Sequence, residues 1–500
     1  MSNFLVGWKV GRHILYYLVD RVIVMNVVSS LFPLARRSSD KPALIDGDSL
    51  LSYRELWSRI GQAAGFLSHV GGTGKKVLLL LPNGNEFIIW LLAVLRQNMV
   101  IVPLRYDGNI YEINAVISDA QPDIIVTSTE KASLLPEPIL KTTYVLTEKD
   151  RETSLDSNQN RENSSPTKSS ELAGIHYTYG GDGRVRGACL SHANYIYAAS
   201  GYAKHMGITA QDRFLVVLPM PGIFILAGCI LAPLIRGATV VVGNTLRPRK
   251  ILNLVEEHQI TAITGIPVLY HLLAEACRMR GCHLKSVRWG VVGGAQISAK
   301  EETDLAKDLG FQLVQGYGLT ECFPISCNPP GGVVKAGSLG VPGRKDIFTK
   351  IVDLAGKDCS SGCVGEIWVK SPTVMSGYYR RSKLNAEILR PGGWVRTGDL
   401  GWMDDDGYLW FSGMQKKLYN LFGNKVDPLE VANVLSSHPA VNRAEILVEG
   451  EPATREAPKL VAYIWLHRGM DSTEKELRDY LRQQLAAYKV PNDVFLLSET

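Results

Sequence analysis

Short runs that are apolar throughout recur along this chain, and each is followed by a stretch long enough for one helix. They include VLLLLP at 77 to 82, MVIVPL at 99 to 104, DIIVTS at 123 to 128, and later RFLVVLP, ATVVVG, ITAITGIP and VRWGVVGG. A strand that is apolar at every position, not every second one, is covered on both faces, and that is the pattern of parallel strands joined by helical crossovers. The stretch 84 to 97 fits such a crossover. The expected class is therefore α/β with mostly parallel sheets. A length of 500 residues allows more than one domain, and 46% hydrophobic with 21% charged residues excludes a mainly disordered, collagen-like or coiled-coil chain. The balance of 54 basic to 49 acidic residues gives no reason to expect a nucleic-acid partner.

The pattern changes twice. Residues 150 to 172 carry almost no apolar side chains and read as a solvated loop, and from about 330 to 411 short strands (KIVD, GEIWVK, YLWFSG) suit a small β-barrel. From 413 to 500 a strand pair alternates with helices at 427 to 437 and 473 to 486, as in a compact α+β domain. The expected division is a leader over 1–27, a large domain over 28–412 and a small one over 413–500. Within the leader, residues 3 to 25 are apolar but interrupted by Lys9, Arg12, His13, Asp20 and Arg21, which excludes a membrane span. At about 100° per residue the apolar positions gather on one side, so an amphipathic leader helix is expected. It would dock on its own domain, pack on a partner, or lie peripherally on a membrane. Eight cysteines without a CxxC pair suggest reduced thiols and a cytoplasmic protein, and Cys359 with Cys363 read as a surface turn, not a metal site.

Three clusters carry chemistry. Residues 177 to 187, Y-T-Y-G-G-D-G-R-V-R-G, lie between a strand-like HYT and a helix starting near Ser191, and their glycines would let backbone amides face an anion. No G-x-x-x-x-G-K-[ST] is present, so a Walker-type site is not supported. The second cluster is Gly316-Tyr317-Gly318-Leu319-Thr320-Glu321. Its ring could stack on a base, its hydroxyl bind a phosphate oxygen and its carboxylate hold Mg²⁺. The third is Trp394-Val395-Arg396-Thr397-Gly398-Asp399, where a turn-held carboxylate could accept two ribose hydroxyls. Each alone reads first as a capped turn or a solvated Asp.

Together, in this order, the clusters resemble the adenylate-forming enzymes, the ANL superfamily of acyl-CoA synthetases, luciferases and peptide-synthetase adenylation domains. The resemblance runs from about residue 28 to 500. Supporting matches are Pro103-Leu104, Leu234 to Val240, Gly265 to Pro267, Gly293-Gly294-Ala295, Gly340 to Pro342, Gly365-Glu366, Gly377-Tyr378-Tyr379, Gly423 and Pro428 to Val431. It implies a large amino-terminal domain of two α/β subdomains plus a small β-barrel, and a small mobile α+β carboxy-terminal domain hinged at Lys416. It also implies an acid–thiol ligase: a carboxylic acid reacts with ATP to give an acyl-AMP, and coenzyme A displaces AMP. On these positions Thr320 would touch the α-phosphate and Glu321 would hold Mg²⁺. Thr178, Gly180, Gly183 and Arg186 would lie along the phosphates. Tyr317 would stack on adenine, Gly294 and Ala295 would line the nucleotide pocket, and Asp399 would bind the ribose. Gly423 would let the pantetheine of coenzyme A pass, and Gly222, Phe224 and Gly293 would border the acyl group.

The sequence departs from the family pattern in four places. The phosphate loop has Tyr179, Gly181 and Asp182 where the family carries hydroxyls, so donors to a triphosphate are lost and a repelling carboxylate is gained. The family's G-R-x-K-D-x-I-K reads Gly413-Met414-Gln415-Lys416-Lys417-Leu418-Tyr419-Asn420, which replaces two cations by Met414 and Asn420. An acyl-site P-L-x-H reads Pro219-Met220-Pro221-Gly222, so a roomier pocket is expected around Gly222, Phe224 and Gly294. The family's adenylation lysine lies beyond the Tyr488 to Pro491 segment, and no Gly-Lys pair follows before Thr500. Either the chain is truncated there or adenylation is slow, because such a cation is worth roughly 10²–10³-fold. Three readings follow. One is an acyl-CoA ligase working mainly in the thioester-forming half-reaction. The second makes an amide or ester, or loads a carrier protein or partner, with another thiol or amine as acceptor. The third is a non-catalytic protein that binds AMP or an acyl ligand.

Overall fold

The computed structural model describes residues 6–10, 13–17, 26–30, 39–108, 110–137, 139, 143–147, 168–179, 185–414, 419–421, 424–426, 428–449, 459–485 and 487–497. These form two compact units. The first comprises 1–348 with 369–395 and the second 349–368 with 396–500.

The first unit is built on two sheets, and the apolar runs are their strands. One sheet has the order Gly377–Tyr378, Val185–Ser191, Leu172–Tyr179, Val100–Pro103, Lys76–Leu80, Ile124–Thr127, Tyr144–Leu146. From Leu172–Tyr179 to Tyr144–Leu146 it is parallel; the first two strands are antiparallel additions. The expected crossover is the helix Asn85–Arg96, whose residues from Phe87 to Leu95 are all buried. The second sheet runs Val341–Pro342, Cys322–Cys327, Gln312–Leu319, Trp289–Val292, Ala262–Gly265, Arg213–Val216, Thr239–Val242, Pro42–Asp46, Ser49–Ser52. Its six strands from Gln312–Leu319 to Pro42–Asp46 are parallel.

The amino ends of that parallel core are tied by Asp212, which is 2% exposed. Its carboxylate accepts from the Thr209 amide (2.7 Å), Thr261 Oγ1 (2.8 Å) and Arg288 (2.7 Å), and its carbonyl accepts from the Thr239 amide (3.0 Å). Residues 212, 239, 261 and 288 stand at the starts of four adjacent strands, so one side chain and its own peptide unit hold their register.

The second unit carries the short strands expected between 330 and 411. Phe348–Val352, Gly365–Lys370 and Trp394–Met403 lie side by side, and Leu409–Met414 pairs antiparallel with the third. Toward the carboxy terminus, Val441–Glu449, Lys459–Leu466 and Asp493–Leu497 make a separate sheet. The helices Pro428–Ser436 and Glu474–Gln484 pack on it around Val431, Leu435, Ile464, Leu477 and Leu481.

The expected leader helix is not what the described residues form. Val6–Val10 and His13–Tyr17 pair as antiparallel strands, with Val6 opposite Tyr17 and Val10 opposite His13. The reason lies in residue shape: Val6, Trp8, Val10, Ile14, Tyr16 and Tyr17 are β-branched or aromatic and favour extended backbone. A helical wheel counts polarity and misses this, and the helix-based argument for membrane contact lapses with it. No helix among the described residues is long and apolar enough to cross a membrane.

Burial alone would raise the Asp212 carboxyl. The Thr209 amide, Arg288 and Thr261 outweigh it and hold the carboxyl below its ordinary range. Its contribution to stability is therefore present above about pH 3.9 and lost as pH falls through the depressed native value. Asp212→Ala should destabilise by about 2–3 kcal/mol, the scale of a hydrogen-bonded charged group. Urea unfolding at neutral pH checks this, and a loss below about 0.5 kcal/mol, the ordinary surface range, would remove Asp212 from the frame.

Candidate functional site

Ligands of open parallel sheets bind outside the carboxyl ends of the strands. Four adjacent strands of the second sheet end at one edge, and the segments that leave them hold the residues singled out from sequence. Gly222 and Phe224 follow Arg213–Val216, Ile266 follows Ala262–Gly265, and Gly293, Gly294 and Ala295 follow Trp289–Val292. Tyr317 lies within Gln312–Leu319, and Thr320 and Glu321 form the turn before Cys322–Cys327. The topology therefore gathers Phe224, Ile266, Gly293, Gly294, Ala295, Thr320 and Glu321 from the four segments that leave these strands, with Tyr317 on the last of the strands.

The loops are fixed by side chains that sequence reasoning missed. Gln315 bonds both backbone groups of Ile297, accepting from its amide and donating to its carbonyl at 3.1 Å each. Glu302, 2% exposed, accepts from Gln315 Nε2 (2.9 Å) and from the Gly337 amide (2.8 Å). Its helix, Ala299–Leu309, starts with a reciprocal Ser298–Glu301 cap. Only the Ser-x-x-Glu spacing of that cap was a visible signal in the sequence. His176 makes a second tie. Its Nδ1 lies 3.2 Å from the Pro221 carbonyl and must donate there, which leaves Nε2 to accept from the Tyr195 hydroxyl at 2.5 Å. Burial pushes this imidazole down to about 4, so it is a neutral link between the phosphate-loop strand and the Pro219–Gly222 turn.

Gly294 has φ +79°, the left-handed region that favours glycine, and a Cβ on Gly293 would lie 2.5 Å from the Phe224 ring. The residues expected around the acyl group differ in the space beside them. Beside Gly222 a Cβ would meet nothing nearer than the Pro219 carbonyl at 3.7 Å. The Phe224 ring lies against Gly293 and 5.6 Å from the Phe323 ring, which lies 5.7 Å from Tyr202.

In the first sheet, Thr178 and Arg186 sit opposite each other on the strands that lead into and out of the glycine loop, with Thr178 Oγ1 3.5 Å from the Arg186 carbonyl. Gly180 and Gly183, the loop itself, lie outside the described residues, as do Lys416 and Gly423. The edge strand Gly377–Tyr378 brings Tyr378 to Glu321, where the phenol donates to Oε1 at 2.5 Å. Burial, then the nearby Glu321 charge and its hydrogen bond, push this phenol upward, so it stays protonated. No other hydrogen bond or ion pair engages the Glu321 carboxylate among the described residues. Among those residues no cluster of three His, Cys, Asp or Glu could hold a metal ion alone. A hard divalent cation at Glu321 would thus share one carboxylate with ligand oxygens, as Mg²⁺ does on nucleotides.

Asp399 belongs to the second unit. Its amide donates to Thr397 Oγ1 (3.0 Å), and that hydroxyl donates to the Ile367 carbonyl (2.7 Å). Glu366, also buried, accepts from the Gly398 amide (3.1 Å), Arg396 Nε (2.9 Å) and Trp368 Nε1 (3.0 Å). Glu366 therefore sets the turn that presents Asp399. Across the ladder, Asp399 pairs with Met414, so the position where the family motif carries Arg stands opposite the carboxylate.

Residues 32–379 match the AMP-binding enzyme family and residues 430–500 match the AMP-binding enzyme C-terminal domain. A feruloyl-CoA synthase from Amycolatopsis sp is 30% identical over 92% of each chain, and a 2-succinylbenzoate–CoA ligase from Bacillus subtilis is 30% identical over 93% of each. Among solved structures, ATP-bound MatB from Rhodopseudomonas palustris superposes with a TM-score of 0.87 at 25% identity, covering 94% of each chain. The O-succinylbenzoate coenzyme A synthetase from Bacillus subtilis in complex with AMP gives 0.83 at 27%, again over 94% of each.

Burial holds the Glu302 carboxyl above its ordinary value despite its two N–H donors. A raised native pKa contributes stability that is complete below the unfolded value of about 4.3 and is lost as pH rises through the native one. Glu302→Gln cannot ionise, so the stability of the wild type relative to this variant should fall from about pH 4 to neutrality. Chemical denaturation of both proteins across that range measures it, and a constant difference would show an ordinary carboxyl.

Proposed function

As the chain belongs to the AMP-binding enzyme family, we propose that it is an acid–thiol ligase that makes an acyl-CoA through an acyl-adenylate. The observation that carries the reading is the Thr320–Glu321 turn at the carboxyl edge of the second sheet, with a hydroxyl and a held carboxylate side by side and Tyr317 three residues before Thr320. In the thioester-forming step the thiolate of coenzyme A attacks the acyl carbonyl carbon, the carbon–oxygen bond to AMP breaks, and AMP leaves with that bond's electron pair. Thr320 would hold the α-phosphate, Tyr317 the adenine ring, Gly294 and Ala295 its edge, and Asp399 the ribose hydroxyls. Mg²⁺ at Glu321 would offset charge on the phosphate oxygens. Gly423 would lie beside the pantetheine, and the small carboxy-terminal domain would turn about Lys416 between steps.

The named relatives favour carboxylic acids, ATP or acyl-AMP, and coenzyme A as the reactants. Two of them act on aromatic acids by name. The Phe224 and Phe323 rings suit a planar aromatic acyl group of modest size better than a long chain. Adenylation is the weaker half-reaction in this reading, because Tyr179, Gly181 and Asp182 replace hydroxyl donors and Met414 replaces a cation beside Asp399.

Two assays on the full chain test the proposal. Thioester formation from supplied aromatic acyl-AMP and coenzyme A should exceed formation from acid, ATP and coenzyme A by at least roughly 10²-fold, the scale of lost transition-state contacts. Pyrophosphate exchange into ATP should be correspondingly slow. AMP binding with no thioester from any supplied adenylate would favour the non-catalytic reading instead; acyl transfer to an amine or carrier thiol alone would change the acceptor. Asp399→Ala should weaken AMP binding about tenfold or more by calorimetry.

A further inference from the structure

A carboxylate on a flexible side chain can hold a cation only where something fixes its direction. Here one short segment fixes both ends of Glu321. The Met375 amide donates to the Glu321 carbonyl (2.8 Å), and three residues later the Tyr378 phenol donates to Glu321 Oε1 (2.5 Å). Tyr378 is itself pinned. Its amide donates to Asn385 Oδ1 (2.7 Å), its carbonyl accepts from Asn385 Nδ2 (2.9 Å), and it lies opposite Ala188 in the ladder. On either side of it, the Ser376 amide donates to the Cys189 carbonyl (3.0 Å) and the Tyr379 amide to the Gly187 carbonyl (2.7 Å). These bonds leave the phenol little freedom, and it reaches across from the first sheet to a turn of the second.

We infer that Tyr378 is a positioning residue that occupies Oε1 of Glu321 and orients the carboxylate so that Oε2 faces a divalent cation on the bound nucleotide. The inference rests on the reading of Glu321 as the cation ligand. Hydrogen-bonded partners of ligating carboxylates commonly control metal affinity by 10–100-fold. The phenol supplies that partner without adding charge. Because Val185–Ser191 leaves the phosphate loop and also pairs with the strand of Tyr378, the phosphate loop and the cation site share one backbone frame.

The test titrates Mn²⁺ into the full chain with saturating AMP and follows free Mn²⁺ by electron paramagnetic resonance. Tyr378→Phe keeps the ring and should raise the Mn²⁺ Kd about tenfold or more. Asn385→Ala, which frees the strand but keeps the phenol, should raise it by less. AMP affinity in EDTA should stay within about twofold of the wild type for Tyr378→Phe, whereas a merely structural role would weaken both ligands; one tenfold step is about 1.4 kcal/mol. Glu321→Ala should abolish the tight Mn²⁺ site. If Glu321→Ala does so while Tyr378→Phe binds Mn²⁺ like the wild type, the positioning role is wrong and the reading of Glu321 stands. If Glu321→Ala leaves Mn²⁺ binding unchanged, both are wrong.

Discussion

The Asp212 carboxylate is the interaction on which the placement of the site depends. It stands at the amino end of the second sheet and bonds the starts of neighbouring strands through Thr261 and Arg288, while its carbonyl takes the Thr239 amide. In a parallel sheet a slip of one residue turns every side chain to the opposite face. Fixing the strands at one end therefore fixes which residues emerge at the other. Ile266, Gly293 and Tyr317 come four or five residues after their strands start at 262, 289 and 312, and the Phe224 ring, from the helix after the strand that starts at 213, lies against Gly293.

The carboxyl edge repeats the same physics with different groups. Gln315 tethers the loop that follows the neighbouring strand by its own amide, and Glu302 holds Gln315 in turn. Glu366 plays the corresponding part in the second unit by binding Arg396 and the Gly398 amide beside Asp399. In each case a buried acidic residue orders a loop that carries residues singled out from sequence, Gly293 to Ala295 in one and Asp399 in the other. Glu366 takes three N–H donors on its two oxygens, whereas Glu302 takes two on Oε2 and leaves Oε1 without a partner among the described residues, in keeping with its raised carboxyl.

Much of this fold is legible in the sequence because the signals are local. Uninterrupted apolar runs such as 77 to 82 and 289 to 292 can be strands only if both faces are covered, and the chain supplies helices of the right length between them. The motif at 316 to 321 is legible because three chemical groups fall within six residues. The ties between loops are not: Glu321 to Tyr378 spans 57 positions and Asp212 to Arg288 spans 76. Nothing in the neighbourhood of Tyr378 says which carboxylate it will meet. The leader failed for a different reason. A polarity wheel can be drawn for 3 to 25, but the β-branched and aromatic side chains at 6 to 10 and 13 to 17 go with extended backbone.

The departures from the family pattern acquire direction when they are placed on this frame. Glu321, Tyr317, Thr320 and Asp399, the residues that resemblance assigns to AMP, sit on strands and turns held by buried hydrogen bonds. Tyr179, Gly181, Asp182 and Met414, the changed residues, belong to the glycine loop and to the end of the strand opposite Asp399. In the proposed reading an AMP moiety would use the first set in both half-reactions, and pyrophosphate would use the loop only in the first. A site that keeps its nucleoside and α-phosphate contacts but loses β- and γ-phosphate donors retains differential binding for the acyl-adenylate over ATP. Transition-state stabilisation in the thiol-transfer step requires no contact with the lost phosphates. On the proposed reading, the substitutions would bear on how an adenylate is made and would leave in place the groups proposed to hold it while a thiol attacks.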